Sequence, residues 1–135
     1  MNRLRLRAEG GFTLIELLVV IAIIGILAAI AIPQFAAYRR RGFEADATAA
    51  ARNLATSQEG YFATFNVYKT TAVPGADLKA FGFTQGANIA ATTTKQAGPP
   101  VGFTITASST KCAAATGVVT FSSTTAKVTL TAPCN

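Results

Sequence analysis

The chain has 135 residues, a formal net charge of +6, 50% hydrophobic residues and no histidine. That length suits one modest domain plus a helical anchor. Without histidine the Ser-His-Asp and Cys-His catalytic devices are excluded, and two cysteines alone cannot make a standard structural zinc site.

The first segment, residues 1–11, is a basic leader carrying Arg3, Arg5 and Arg7 and ending in Gly10-Gly11. The 21 residues from Phe12 to Ile32 follow, and only Thr13 and Glu16 among them are polar. As a helix this run is about 30 Å long, the thickness of a bilayer core. A carboxylate inside such a run is costly and marks function. A secretory signal peptide is one competing reading, since Ala29-Ile30-Ala31 before Ile32-Pro33 has the form of a small-residue cleavage site. Its apolar middle would be too long, however, and a disposable signal needs no Glu16. A plain single-span anchor explains the length but neither the glycine pair nor Glu16.

Gly11-Phe12-Thr13-Leu14-Ile15-Glu16 and the apolar run to Pro33 closely resemble the N-terminus of type IV pilins, of the type IVa-like major kind. The resemblance covers about residues 10–41. It implies that a prepilin peptidase cuts between Gly11 and Phe12 and methylates the new amine of Phe12. The apolar run then stays in the mature protein. It also implies that Glu16 meets the Phe12 amine of a neighbouring subunit during assembly. That amine has a reference pKa of about 7.7–8.0, so it is mostly cationic at neutral pH.

One long helix is expected from about Phe12 to Thr64, apolar all round at first and amphipathic afterwards. Gly25 and Pro33 make the segment between them a candidate for bending or unwinding. In pilins the corresponding segment is thought to loosen on assembly; a simple proline kink is the alternative. Arg39, Arg40 and Arg41 read as a membrane-flanking cluster rather than a DNA contact. In the second half, Phe43, Ala47, Ala50, Leu54, Tyr61 and Phe65 form the stripe expected to pack on a sheet. The aromatic residues of this helix, Phe35, Tyr38, Phe43, Tyr61, Phe62 and Phe65, read as packing groups rather than as a contact path for electrons.

From Asn66 to Pro100 the chain reads as a loop, with a short helix near Ala76–Ala80. Strands are expected at Val101–Ala107, Gly117–Phe121 and Thr125–Thr131, the last with Ala126, Val128 and Leu130 on one face. Ser122-Ser123-Thr124 suits the turn between the last two. Cys112 and Cys134 would either be cross-linked, which an exported domain favours, or be two buried thiols. A cross-link over a loop of that size contributes about 3 kcal/mol in the entropic account.

The expected fold is therefore α+β: a long N-terminal helix packed on a small C-terminal antiparallel sheet of three or four strands. Its parts are a leader (1–11), an apolar helix serving as membrane anchor and filament core (12–42), and a headgroup (43–135). With no glycine-rich phosphate loop and too few acids for a calcium loop, no cofactor, metal or enzymatic activity is expected. The expected function is that of a structural subunit polymerised into a type IV pilus, a homo-oligomeric helical filament. Its partners would be the prepilin peptidase, the assembly machinery and, before assembly, the bacterial inner membrane, with the C-terminal part in the periplasm and then on the cell surface. A secretion pseudopilin and a DNA-binding minor pilin are the alternatives. From Phe12 onward nine basic residues face five acidic ones, which is weak support for a nucleic-acid partner.

Overall fold

The computed structural model describes residues 11–71, 76–113 and 116–135. Both residues of the expected cleavage site, Gly11 and Phe12, are among them, whereas residues 1–10 of the expected leader lie outside the described residues. The elements are helix α1 (Leu14–Phe65), a short helix α2 (Ala76–Lys79) and strands β1 (Ile89–Lys95), β2 (Phe103–Ser109), β3 (Val118–Ser122) and β4 (Lys127–Ala132). The chain divides into two compact units, Met1–Ala36 and Ala37–Asn135, and α1 belongs to both.

In the first unit the helix is apolar on every side and its side chains lie open. Leu14, Ile15, Leu17, Ile23, Ile26, Ile30 and Ile32 are all more than half exposed. Among the described residues α1 is the one helix long and apolar enough to cross a membrane by length and composition. A helix that is hydrophobic and exposed all round suits lipid or other helices as its surroundings. The helix continues through both Gly25 and Pro33.

The second unit is a helix on a sheet. The four strands form an antiparallel meander in the order β1-β2-β3-β4. Ala47, Ala51 and Ala55 recur every four residues and so stack on one face of α1, with Leu54 beside them. Phe103, Ile105 and Ala107 of β2, Ile89 and Ala91 of β1 and Val119 of β3 close the core, together with Leu78 and Phe83. Along β2 the burial alternates with the period of two that a half-buried strand requires. The ring of Tyr68 lies between Phe62 and Phe103, with centroids 4.5 and 4.7 Å away, and Phe103 leads on to Phe121 at 6.0 Å.

Three readings of the headgroup need correction. The expected loop from Asn66 to Pro100 contains strand β1, paired along its whole length with β2, from Ile89↔Ser109 to Lys95↔Phe103. Of its inward side chains Ile89 is apolar, but Ala91 is small and Thr93 polar, so the alternation is weak in the sequence, yet all three are buried. In the α1 stripe, Ala47 and Leu54 are buried, but Phe65 is 55% exposed. The helix ends there: Asn66 takes φ 55° and donates its amide to the Phe62 carbonyl at 2.7 Å, the left-handed stop of a helix C-terminus. The inner face instead takes Ser57 and Gln58. Gln58 is fully buried and clamps the returning chain, its Nε2 donating to the Lys69 carbonyl at 2.7 Å and its Oε1 accepting the Lys69 amide at 3.0 Å. Finally, Ala126 lies in the turn 123–126 with φ 50°, not in a strand, and Leu130 is 46% exposed. Of the expected face on β4, Val128 packs against the core.

Candidate functional site

The start of α1 carries a local design that depends on three residues. A helix start leaves backbone amides without partners. Thr13 precedes the first helical residue, Leu14, and its hydroxyl accepts the Glu16 amide at 3.3 Å. In return the Glu16 carboxylate reaches back to the Thr13 amide at 2.9 Å and to the Thr13 hydroxyl at 2.6 Å. This is a capping box, Thr-x-x-Glu, in which two orphan donors are satisfied reciprocally. Both bonds to the carboxylate use Oε2. Oε1 has no partner among the described residues.

Phe12 is 93% exposed and makes no such bond among the described residues. The structure thus places Glu16 one turn from Phe12 but bonds it to Thr13. Thr13 was missed as a site residue in the sequence, although Thr-x-x-Glu before an apolar run is a readable signal. Gly11 and Gly25 both face open space, with no atom within 4 Å of the position a Cβ would take. Neither glycine is required by packing within the described chain.

A second constellation lies in the headgroup. Cys112 and Cys134 are joined, with Cα atoms 5.2 Å apart, so the tail after β4 is tied to the segment before β3. Gly117 sits against this bridge at φ 62°, where a Cβ would run into the Cys112 sulfur. The Cys134 amide donates to Glu44 Oε1 at 2.7 Å. That bond ties the C-terminal tail to the beginning of the amphipathic helix.

Arg39, Arg40 and Arg41 are exposed. The Arg39 guanidinium lies 5.8 Å from the centre of the Phe43 ring, and that of Arg41 lies 5.9 Å from Tyr38. Such contacts at exposed sites contribute about 0.5–1 kcal/mol each. Among the described residues no group of three histidine, cysteine or acidic side chains could hold a metal ion. Near the sheet, burial and then the charge and hydrogen bond of Glu59 raise the Tyr68 hydroxyl above its ordinary pKa.

Comparison with known proteins begins with the same N-terminal region. A family model described as "Prokaryotic N-terminal methylation motif" matches residues 6–32. The chain is 47% identical over 62 residues to the Type IV major pilin protein PilA of Myxococcus xanthus, covering 46% of this chain and 28% of that one. It is 41% identical over 80 residues to a fimbrial protein of Pseudomonas aeruginosa, covering 59% and 52%. It is 74% identical over 33 residues to the Type IV major fimbrial protein FimA of Dichelobacter nodosus, covering 24% and 21%. The chain thus spans between about a fifth and a half of the length of these curated relatives. The chain thus carries a match to a prokaryotic N-terminal methylation motif, is similar to type IV pilins over part of its length, and has an α+β fold of one long helix and a four-stranded antiparallel sheet.

Proposed function

We propose that this chain is the precursor of a structural pilus subunit rather than an enzyme. A prepilin peptidase cuts between Gly11 and Phe12, and the Phe12 amine is methylated. Until then and shortly after, the apolar part of α1 holds the chain in the inner membrane, with the headgroup in the periplasm. An assembly machine then transfers the helix from lipid into a filament core built of the same helices, and the headgroup faces outward at the cell surface.

One observation carries this reading: Glu16 stands at the start of an exposed apolar helix, fixed by Thr13 through one oxygen and open at the other. A carboxylate held in this way is oriented before its partner arrives. The cation formed by cleavage at Phe12 of an adjacent copy complements Oε1 in charge. Gly25 supports the same reading. A glycine in mid-helix costs about 1 kcal/mol, and open space around it leaves a place where a neighbouring helix can approach.

In the filament the pair is buried, and removing one partner of a buried pair costs about 3–5 kcal/mol. Glu16→Ala should therefore enter the membrane and fold its headgroup but give few or no filaments by electron microscopy. Normal filament yield from that variant would contradict the proposal. Thr13→Val, which keeps the charge and the backbone amide bond to it but loses both hydroxyl bonds, should give an intermediate yield.

A further inference from the structure

The headgroup carries two unlike grooves on opposite flanks of α1. One, about 610 Å³, lies between α1 and the β3–β4 hairpin. Its cations are Arg52 and Lys127, its apolar lining includes Ala55, Phe121 and Val128, and its one carboxylate, Glu59, is engaged by the Tyr68 hydroxyl at 3.2 Å. The other, about 290 Å³, holds Asp46 beside Ala49, Ala50, Asn53 and Asn88. Asp46, Arg52 and Lys127 are exposed, and none of the three side chains has a hydrogen-bond or ion-pair partner among the described residues. Asp46 and Arg52 are six residues apart, which separates them by about 120° around the helix, so they cannot meet within one chain. The buried face with Ala47, Ala51 and Leu54 lies between the two flanks.

An assembly that grows without closing needs two different, complementary patches on each copy. We infer that the occupant of the Arg52–Lys127 groove is the Asp46 flank of a second copy of this chain. Asp46 supplies the charge the groove lacks, and Ala49 and Ala50 are small enough to lie against Val128 and Phe121. The offset of six residues also sets a step. Parallel copies joined in this way are displaced along the helix axis by about 9 Å. This contact rests on the pilus-subunit reading and adds to it a headgroup interface distinct from the Glu16 pair.

The test is a charge exchange in the full chain, expressed in a piliated host lacking its own subunit. Asp46→Lys and the double variant Arg52→Glu, Lys127→Glu each place like charges across the contact, and each should lower filament yield by about tenfold or more. Combining all three substitutions restores opposite charges and should restore yield. Thermal melting of the detergent-solubilised monomers shows that each variant folds. Zero-length carbodiimide coupling of wild-type filaments, grown from mixed isotope-labelled and unlabelled copies, needs no variant. It should join Asp46 of one copy to Lys127 of another. Wild-type yield from the reversed variants, no rescue in the combination, or no intercopy Asp46–Lys127 product would each overturn the inference while leaving the Glu16 reading intact. Failure of the wild-type chain to form any filament would overturn both.

Discussion

The two parts of α1 have the same backbone and opposite needs. Before Ala36 the helix exposes Leu, Ile and Val on all sides, and none of its large apolar side chains is buried among the described residues. After it, small residues on one face meet a sheet, and the core closes within the chain. Helix propensity is not what distinguishes them; the source of their surroundings is. A segment that supplies no partner of its own can exchange lipid for neighbouring helices, whereas one that packs on its own sheet stays folded during the exchange.

That contrast can be broken at the packed half. Leu54 is fully buried among core side chains, so Leu54→Ala should cost the headgroup about 2–5 kcal/mol. Leu18→Ala, on the open half, should leave headgroup melting unchanged. Differential scanning calorimetry of the detergent-solubilised chain separates the two. A similar loss from both would mean that the halves are not independent.

A smaller effect is expected at the clasp between the tail and the helix. Glu44→Ala removes the acceptor of the Cys134 amide and should cost about 1–2 kcal/mol. Glu44→Gln keeps an acceptor and should recover most of it. Equal losses from the two variants would show that charge, not the hydrogen bond, matters there.

The smallest effect is at Tyr68. Burial first, then the charge and hydrogen bond of Glu59, raise its pKa above the ordinary 10.0. A folded-state pKa above the unfolded one adds stability that is present below about pH 10 and lost as pH rises past the folded value. Tyr68→Phe should therefore flatten the loss of melting temperature between about pH 9 and 11. An unchanged alkaline slope would assign that loss to other groups.

What could be read from the sequence follows the reach of each interaction. The apolar run, Glu16, the long helix and the alternating strand β2 are local patterns, and they are legible. Thr13 was legible too, but Glu16 looks fully explained as a partner for Phe12, which hides its capping role. Strand β1 was not: Ala90, Ala91 and the threonines from Thr92 to Thr94 carry little hydrophobic contrast, and only pairing with β2 makes them a strand. Gln58 looks like a surface residue until Lys69 returns to meet both ends of its amide. Glu44 and Cys134 lie 90 positions apart, beyond any pattern along the chain.

The central claim is that the apolar half of α1 is kept and given a new end at Phe12. Mass spectrometry of the N-terminal peptide of the mature protein tests it directly. The mature chain should begin at Phe12 and carry a methylated amine. A chain beginning at Ile32, or one still carrying the residues before Phe12 in the assembled form, would contradict it.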